Sequence, residues 1–371
     1  MRELIYFSAT ISVLAVISGS HLNAATCDQD LALARPIELG VSGGNINLSA
    51  TVDGITDCCE GTLGSLVTGS GGKYILSNNH VLARVNLAKP GEAIIQPGLI
   101  ADGCPSTLPT EDVVAHLSAS SKIKFRGQNN IDAAIAQVAA GDVTGDILNI
   151  GPISGKTVAA PSALNLAVQK MGRTTCLTTG TVSAINADVE VEYVPECNSG
   201  SGTALFVNQI VVTGSDFAAG GDSGSLVVTQ EDCPRAVGLL FASGSASNQT
   251  ILNPIRKVLG HFGVSMVAGC EASPQAADTQ AEVAGSSGAA GLAGLSAEAI
   301  NAVTAIKERH ENDLFALPGV VGTAVGSSSE PGVPKIEVYI AADTPALRAA
   351  LPAEIEGAQV DVIVSGPFTA W

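Results

Sequence analysis

The stretch Gly220-Gly221-Asp222-Ser223-Gly224-Ser225-Leu226 puts a serine in a glycine-rich turn directly before an apolar strand. A serine hydroxyl is a weak nucleophile until a neighbouring imidazole accepts its proton. Glycines allow a tight turn whose backbone N–H groups can point at a negatively charged oxygen. The stretch therefore predicts Ser223 as a nucleophile, with an oxyanion hole formed by the N–H groups of Gly221 and Ser223.

Two other stretches supply the partners that such a serine needs. Tyr74–Leu82 is an apolar strand that runs into a polar turn carrying His80, and Asn129–Ala136 puts Asp132 at the start of another apolar strand. A histidine base needs a carboxylate on its second ring nitrogen to fix its tautomer and orientation. We therefore predict His80 as general base and Asp132 as orienting acid. The alternative acids are Asp112, Asp142 and Asp146.

Two competing classes of hydrolase are disfavoured, one by the order of these residues and one by the state of the cysteines. An α/β-hydrolase carries its serine in a Gly-x-Ser-x-Gly turn, and the acid and the histidine follow it along the chain. Here Ser225 replaces the final glycine, and His80 and Asp132 both precede Ser223. A cysteine nucleophile is disfavoured as well, because cysteines in an exported chain are usually bridged.

Short strand-like runs broken by Gly, Asn, Asp and Pro follow one another from about Gly61 to Gly269. Their spacing, with few helical periods between them, predicts an all-β sandwich or barrel. Only Ile255–Phe262 has a helical pattern. The predicted strands are Thr62–Thr68, Lys73–Ser77, Ala133–Val138, Leu166–Lys170, Gly180–Ile185, Leu205–Thr213, Ser225–Val228 and Val237–Phe241.

Composition excludes several classes of partner. The 371 residues include 18 Lys and Arg against 35 Asp and Glu, a net charge of −17. Such a charge repels phosphate backbones and anionic lipid headgroups, so we expect no nucleic-acid binding. The chain has no Cys-x-x-Cys pair and no glycine-rich phosphate loop, so we expect no metal and no cofactor.

At these residues the chain resembles the chymotrypsin-like (trypsin-fold) serine proteases. Gly221-Asp222-Ser223-Gly224 matches the nucleophile signature of that family, and Asn79-His80-Val81 matches its general-base turn. The resemblance covers roughly Leu63 to Phe262. It implies two six-stranded β-barrels with the site in the cleft between them, His80, Asp132 and Ser223 as the catalytic triad, and protein or peptide substrates.

Four other stretches are similar to one branch of these enzymes, the Nal1-like bacterial and plant proteins. They are Ile75–Ala83, Asp132–Ala136, Lys170–Thr174 and Asn253–Ile255.

The resemblance also implies a specificity pocket. Phe217 stands six residues before the nucleophile, where trypsin-type enzymes have an acid, and Leu240, Phe241 and Ala242 match the pocket-wall strand. These side chains favour an apolar or small residue in the pocket. No Ile-Val-Gly-Gly-type start is evident, so activation by a new N-terminus is not expected. The partner of Asp222 is left open.

Residues 1–25 predict a signal peptide. Arg2 precedes the apolar stretch Leu4–Ile17, and Ala24 and Ala25 are small residues suited to cleavage. The stretch falls short of the ~20 residues that span a bilayer. We therefore expect a secreted or periplasmic protein without stable membrane insertion. An uncleaved anchor is the alternative.

Eight cysteines follow this segment: Cys27, Cys58, Cys59, Cys104, Cys176, Cys197, Cys233 and Cys270. An even number in an exported chain predicts up to four disulfides. Cys176 and Cys197 flank one predicted hairpin, and they are the pair that we favour most.

The domain boundaries follow from shifts in composition. Residues 26–270 form the predicted protease domain, and the Ala/Gly/Ser-rich residues 271–295 form a flexible linker. Residues 296–371 predict a small α/β domain of ferredoxin-like order, in which Ser296 caps a helix. Its further elements are the strands Val320–Val325 and Lys335–Ala341, a short helix Pro345–Leu351 and the strand Val360–Val364.

We consider three roles for this C-terminal domain: a folding chaperone, an intramolecular regulator that occludes the cleft, or a module that binds a surface or substrate. For the whole chain the sequence favours a secreted serine endopeptidase that acts through an acyl-enzyme intermediate. The alternative is a catalytically silent trypsin-fold protein that acts as a binding module.

Overall fold

The computed structural model describes residues 32–370, apart from 53–54, 102, 106–109, 140, 195–196, 198 and 272–294. The predicted signal peptide and most of the predicted linker lie outside the described residues. In the first half the strands are β1 Ile37–Leu39, β2 Val41–Asn45, β3 Ser49–Val52, β4 Ile55–Cys58, β5 Gly61–Leu63, β6 Ser65–Gly69, β7 Gly72–Ser77, β8 Ala93–Ile95, β9 Val113–Ser120, β10 Gln128–Asn129, β11 Ala134–Val138 and β12 Val143–Ile147.

The later strands are β13 Ala167–Lys170, β14 Thr178–Tyr193, β15 Gly202–Thr213, β16 Leu226–Thr229, β17 Ala236–Gly244, β18 Gln249–Pro254, β19 Ser265–Met266, β20 Val320–Ser327, β21 Pro334–Ile340, β22 Glu354–Ile355, β23 Ala358–Val364 and β24 Phe368–Ala370. The α-helices are α1 Asn79–Leu82, α2 Ile255–Phe262, α3 Ala297–Phe315 and α4 Pro345–Ala350. Thr110–Asp112 and Ala160–Ser162 form single 3-10 turns.

The first sheet closes into a barrel of six strands. Its order is β6-β7-β11-β9-β8-β2-β5. Only Gly64 separates β5 from β6, so these two segments act as one strand that completes the ring. The barrel encloses an aliphatic core that includes Leu63, Ile75 and Ala134.

The second sheet closes into another barrel of six strands. The order β15-β18-β17-β16-β13-β14 is completed by pairing of β14 with β15. The predicted all-β class and the two-barrel arrangement are therefore confirmed. The predicted helix Ile255–Phe262 is also present, with those bounds.

The C-terminal unit extends the second sheet. Strand β20 pairs antiparallel with β14, from Ala184↔Gly326 to Val189↔Gly322, and β21, β23 and β22 continue outward. Ser296 caps helix α3 as predicted, and its hydroxyl accepts a hydrogen bond from the N–H of Ala299 at 3.1 Å. The two short strands β22 and β24 were not predicted.

Buried side chains from both parts of the chain hold this unit against the barrel. Tyr339 and Phe368 share a core with Val189 and Phe241 of the second barrel. The buried Lys307 ammonium on α3 lies 2.9 Å from Asp188 Oδ2 on β14 and 2.9 Å from Glu311 Oε1. The C-terminal unit therefore shares a hydrophobic core and a buried ion pair with the second barrel.

The predicted pairing of Cys176 with Cys197 is wrong. Cys197 is bonded to Cys59, and the other two described bridges are Cys58–Cys104 and Cys233–Cys270. Cys176 precedes β14 and Cys197 follows it. Strand β14 has 16 residues, which at roughly 3.3 Å per residue separate its ends by about 50 Å. A disulfide needs Cα atoms closer than about 7 Å.

In the part of the chain that the structure describes, no helix combines the length and apolar character needed to cross a bilayer.

Replacement of Lys307 by alanine tests the attachment of the C-terminal unit. The variant leaves the carboxylates of Asp188 and Glu311 without their cation, so we expect the free energy of unfolding to fall by about 3 kcal/mol. Urea denaturation followed by circular dichroism measures this loss. Arg309→Ala on the same helix removes an exposed pair with Glu356 and should change stability little. Equal losses in the two variants would contradict the buried-pair interpretation.

Candidate active site

His80 and Asp132 meet between the barrels. Strand β7 ends at Ser77, and the single turn α1 then brings the His80 ring inward. His80 Nδ1 lies 2.6 Å from Asp132 Oδ2, and both side chains are buried. Because Nδ1 faces a carboxylate, the contact favours the tautomer that carries its proton on Nδ1 and leaves Nε2 as an acceptor.

Donors from both barrels surround the Asp132 carboxylate. Oδ1 accepts hydrogen bonds from the backbone N–H groups of Asn79 at 2.7 Å and His80 at 3.3 Å. Oδ2 accepts a bond from the Tyr193 hydroxyl at 2.8 Å, in addition to the His80 contact. Burial, and then the neighbouring carboxylate, raise the pKa of Tyr193 well above its usual value, so this hydroxyl keeps its proton and donates.

The backbone of Asp132 is clamped by an amide of the second barrel. Asn253 Oδ1 accepts from the N–H of Asp132 at 3.0 Å, and Asn253 Nδ2 donates to its carbonyl at 2.9 Å. Asn78 Nδ2 donates to the same carbonyl at 2.7 Å. These three bonds fix the strand start from which the carboxylate projects.

The Ser223 turn docks on strand β5 of the first barrel. The Thr62 N–H donates to the carbonyl of Ser223 at 2.8 Å, and the Thr62 hydroxyl donates to the carbonyl of Gly221 at 2.9 Å. A Cβ at Gly61 would lie 2.9 Å from the Ser223 carbonyl oxygen and 2.9 Å from Val81 Cγ1. Because residue 61 has no side chain, the Ser223 turn and Val81, the residue after His80, can both pack against it.

A charged pair crosses the contact between the Ser223 turn and the first barrel, which we call the seam. Arg173, from the second barrel, forms an ion pair with the buried carboxylate of Glu60. A Cβ at Gly221, where φ is +96°, would lie 2.9 Å from Arg173 Cδ. The glycine therefore permits both the left-handed turn and the close approach of this arginine.

Four polar groups at this seam have no acceptor or donor among the described residues: His80 Nε2, the Ser223 hydroxyl, and the N–H groups of Gly221 and Ser223. By contrast, the neighbouring N–H groups of Asp222 and Gly224 donate to Ala219 and Leu240. A base, a hydroxyl and two backbone donors are therefore available together for an external group.

The structure supplies the partner of Asp222 that the sequence left open. Lys170 Nζ, fully buried at the end of β13, lies 3.4 Å from Asp222 Oδ2. Asp222 also accepts bonds from the N–H of Thr174 at 2.9 Å and from the Thr175 hydroxyl at 2.7 Å. Burial lowers the pKa of Lys170, while the nearby Asp222 carboxylate opposes that shift.

The four residues of the predicted specificity pocket lie in the cores. Their exposures are 1% for Phe217, 2% for Leu240, 0% for Phe241 and 2% for Ala242. Phe217 and Leu240 share one core cluster of the second barrel, whereas Phe241 and Ala242 belong to another. Their role in specificity stays a prediction.

Sequence reasoning missed Tyr193 and assigned no role to Asn253 or Lys170, which it named only within stretches similar to the Nal1-like branch. Lys170 left a signal, because a lysine within the mostly apolar Leu166–Met171 suggests a buried cation. Tyr193 left none, since its partner is 61 residues away. Within the described residues, no group of three His, Cys, Asp or Glu side chains could hold a metal ion.

No protein-family model matches the chain, and no curated protein sequence matches it. Among solved structures, the chain is similar to a glutamic acid specific serine protease that uses a histidine triad in substrate binding (TM-score 0.43, 20% identity, 62% of this chain and 100% of that one). It is also similar to Thermobifida fusca Protease A (TM-score 0.40, 18% identity, 63% and 100%). A third neighbour is Cellulomonas bogoriensis chymotrypsin (TM-score 0.39, 21% identity, 62% and 100%). None of these findings bears on the Nal1-like branch, which stays a prediction.

Lys170→Met tests the support of the Ser223 turn. The variant leaves the Asp222 carboxylate buried with only neutral donors, so we expect the free energy of unfolding to fall by about 2–3 kcal/mol. Denaturation monitored by circular dichroism measures it. Lys73→Met makes the same chemical change at an exposed position of β7 and should have almost no effect. A Lys170 variant as stable as the Lys73 variant would rule out a structural role for this pair.

Proposed function

We propose that this protein is an exported serine endopeptidase in which His80, Asp132 and Ser223 form the catalytic triad. One observation carries the proposal. His80 is held by Asp132 through Nδ1, while its Nε2 and the Ser223 hydroxyl are unpaired at the seam where the Ser223 turn meets the first barrel. Acyl transfer by serine needs an imidazole that is oriented in this way and whose Nε2 is free to accept the hydroxyl proton.

The proposed reaction begins with proton transfer. His80 Nε2 takes the proton of the Ser223 hydroxyl as Oγ forms a bond to the carbonyl carbon of a peptide. The negative charge moves to the carbonyl oxygen, which accepts hydrogen bonds from the N–H groups of Gly221 and Ser223. Asp132 stabilises the imidazolium through its contact with Nδ1.

The intermediate then collapses. The C–N bond breaks, and His80 gives its proton to the leaving amine, which departs and leaves an ester on Ser223. Water enters, His80 takes its proton, and the same sequence releases the carboxylic acid and restores the serine. The turn needs no new N-terminus to pair with Asp222, because Lys170 provides the positive charge within the second barrel.

Export to the periplasm or the medium is part of the proposal. The described disulfides tie residues far apart in the chain, such as Cys59 and Cys197, and such bridges persist in oxidising compartments. The second candidate function is a silent binding module. It is favoured by strand β24, which lies against β17 close to the Ser223 turn.

Labelling with a small fluorophosphonate separates these two functions. We expect the full-length chain to gain one adduct by intact mass, mapped by peptide analysis to Ser223, because only an activated hydroxyl attacks this reagent. Ser223→Ala should give no adduct, and Ser215→Ala, an exposed serine of the same barrel, should label normally. Folded protein without an adduct would favour the binding module.

Tyr193→Phe tests the role of the tyrosine as a positioning residue. Loss of its hydrogen bond to Asp132 loosens the orientation of His80 but removes no contact of the proposed nucleophile, so kcat should fall by about tenfold with KM nearly unchanged. A steady-state assay on a peptide substrate measures kcat and KM separately. Tyr74→Phe, in the first barrel, should leave both constants unchanged. A rise in KM at constant kcat would contradict a positioning role.

A further inference from the structure

Strand β24 lies on an edge of β17 that leads to the serine turn. Ser243 of β17 pairs with Thr250 of β18 on one side and with Thr369 of β24 on the other. The β24 side is the side on which Leu239 pairs with Leu226 of β16. Strands β16 and β24 therefore share one edge of β17 and leave its middle residues between them.

The serine turn occupies the next positions of this edge. The Gly224 N–H donates to the carbonyl of Leu240 at 2.9 Å, and the Leu240 N–H donates to the carbonyl of Ser225 at 3.0 Å. Along β17, only residues 241 and 242 separate these bonds from the pairing of Ser243 with Thr369. A segment paired like β24 thus ends close to the nucleophile.

The direction of β24 matches that of a peptide that is to be acylated onto Ser223. Strand β24 is antiparallel to β17, with Phe368 opposite Gly244 and Thr369 opposite Ser243. Its carboxyl end therefore points towards Leu240 and the serine turn. In a peptide bound in this direction, the carbonyl group just beyond the paired residues lies towards Ser223. That is the carbonyl that an acyl-transfer enzyme attacks.

Ala370, at the end of β24, lies beside the histidine. Together with His80, Tyr193 and Ser199 it lines a cavity of about 30 Å³. The end of β24 therefore lies in the space that a peptide bound along β17 would enter beside His80.

Further contacts tie β24 to both barrel and C-terminal unit. It pairs in parallel with β14, where Tyr193 stands opposite Ala370. The Ser245 N–H donates to the carbonyl of Pro367 at 3.2 Å, and the Phe368 ring packs edge-on against Tyr339 with centroids 5.6 Å apart. The segment is thus held by its backbone and by one buried ring.

We propose that β24 occupies the site for the acyl side of a peptide substrate, so that the protein is closed to extended peptides until β24 leaves β17. The inference rests on the proposed function of Ser223. Strand addition to an exposed sheet edge is a common way to bind extended peptides, and a strand of the chain itself competes for that edge. A small electrophile needs no pairing with β17 and still reaches Ser223.

Thr369→Pro is the variant that tests this. Residue 369 is the middle residue of β24, between β17 and β14, and proline there removes one N–H from this three-residue strand and so weakens its pairing. We expect kcat/KM for a library of tetrapeptidyl fluorogenic amides to rise by about tenfold or more. The rate of fluorophosphonate labelling at Ser223 should change by less than about twofold, since the nucleophile itself is untouched. Ser329→Pro, in the exposed turn between β20 and β21, is the matched control and should change neither rate.

The two rates separate the failure of this inference from failure of the proposed function. If neither protein labels, the proposed function is wrong. If both label but the folded Thr369 variant cleaves peptides no faster than the Ser329 variant, β24 does not block the substrate site and the inference is overturned.

A measurement on the unaltered chain covers the case in which Thr369→Pro does not fold. Ser223 is labelled either with the small fluorophosphonate or with a tetrapeptidyl phosphonate, and deuterium uptake is followed by mass spectrometry. We expect residues 366–370 to gain deuterium only with the peptidyl reagent, because it must displace β24. A peptidyl adduct on Ser223 without added exchange at 366–370 would overturn the inference.

Discussion

The buried carboxylate of Asp132 is the constraint around which the two barrels are arranged. An ionised group loses several kcal/mol of solvation when it is removed from water, so it is stable only where donors replace the water. Here the first barrel supplies His80 and the N–H of Asn79, while the second supplies the hydroxyl of Tyr193. Separation of the barrels would remove the Tyr193 bond from this carboxylate, so the group that orients His80 also links the two barrels.

Asp222, in the second barrel, is likewise a buried acid whose charge is compensated by nearby donors. Its carboxylate is fully buried, and it is compensated by Lys170 at the end of β13 and by Thr174 and Thr175 in the loop that follows. Because Asp222 lies between Gly221 and Ser223, these bonds hold the turn in the conformation that leaves two N–H groups unpaired. Two buried acids thus position the two halves of the candidate site, one through the base and one through the nucleophile.

Strand β14 connects the site to the C-terminal unit. Its first half closes the second barrel against β13 and β15, and its middle pairs with β20. Its last residue, Tyr193, donates to Asp132 and stands opposite Ala370 of β24. Strand β14 therefore pairs with the C-terminal unit through β20, contributes the Tyr193 hydrogen bond to the site and pairs with β24 beside His80.

Much of the candidate site could be predicted from the sequence because its chemistry is local. A serine turn needs glycines next to it, and a catalytic histidine sits where an apolar strand meets a polar turn, so Ser223 and His80 leave patterns within a few residues. The all-β class also followed from the spacing of short strands, whereas the two-barrel arrangement was implied only by the resemblance to the chymotrypsin-like proteases. The helix bounds Ile255–Phe262 and the cap at Ser296 depend on local periodicity and one side-chain oxygen, and both were predicted.

Contacts between distant parts of the chain could not be read in this way. The bridge of Cys197 to Cys59, the pairing of Lys170 with Asp222 and the bond from Tyr193 to Asp132 depend on how the sheets close. Strand β24 has three residues and no pattern of its own. The sequence by itself determined the all-β class and the residues with reactive groups, because hydrophobic period and turn chemistry act over short range. Only the tertiary structure decided which charges are compensated and which edge of β17 is covered, because burial and strand pairing are properties of the folded chain.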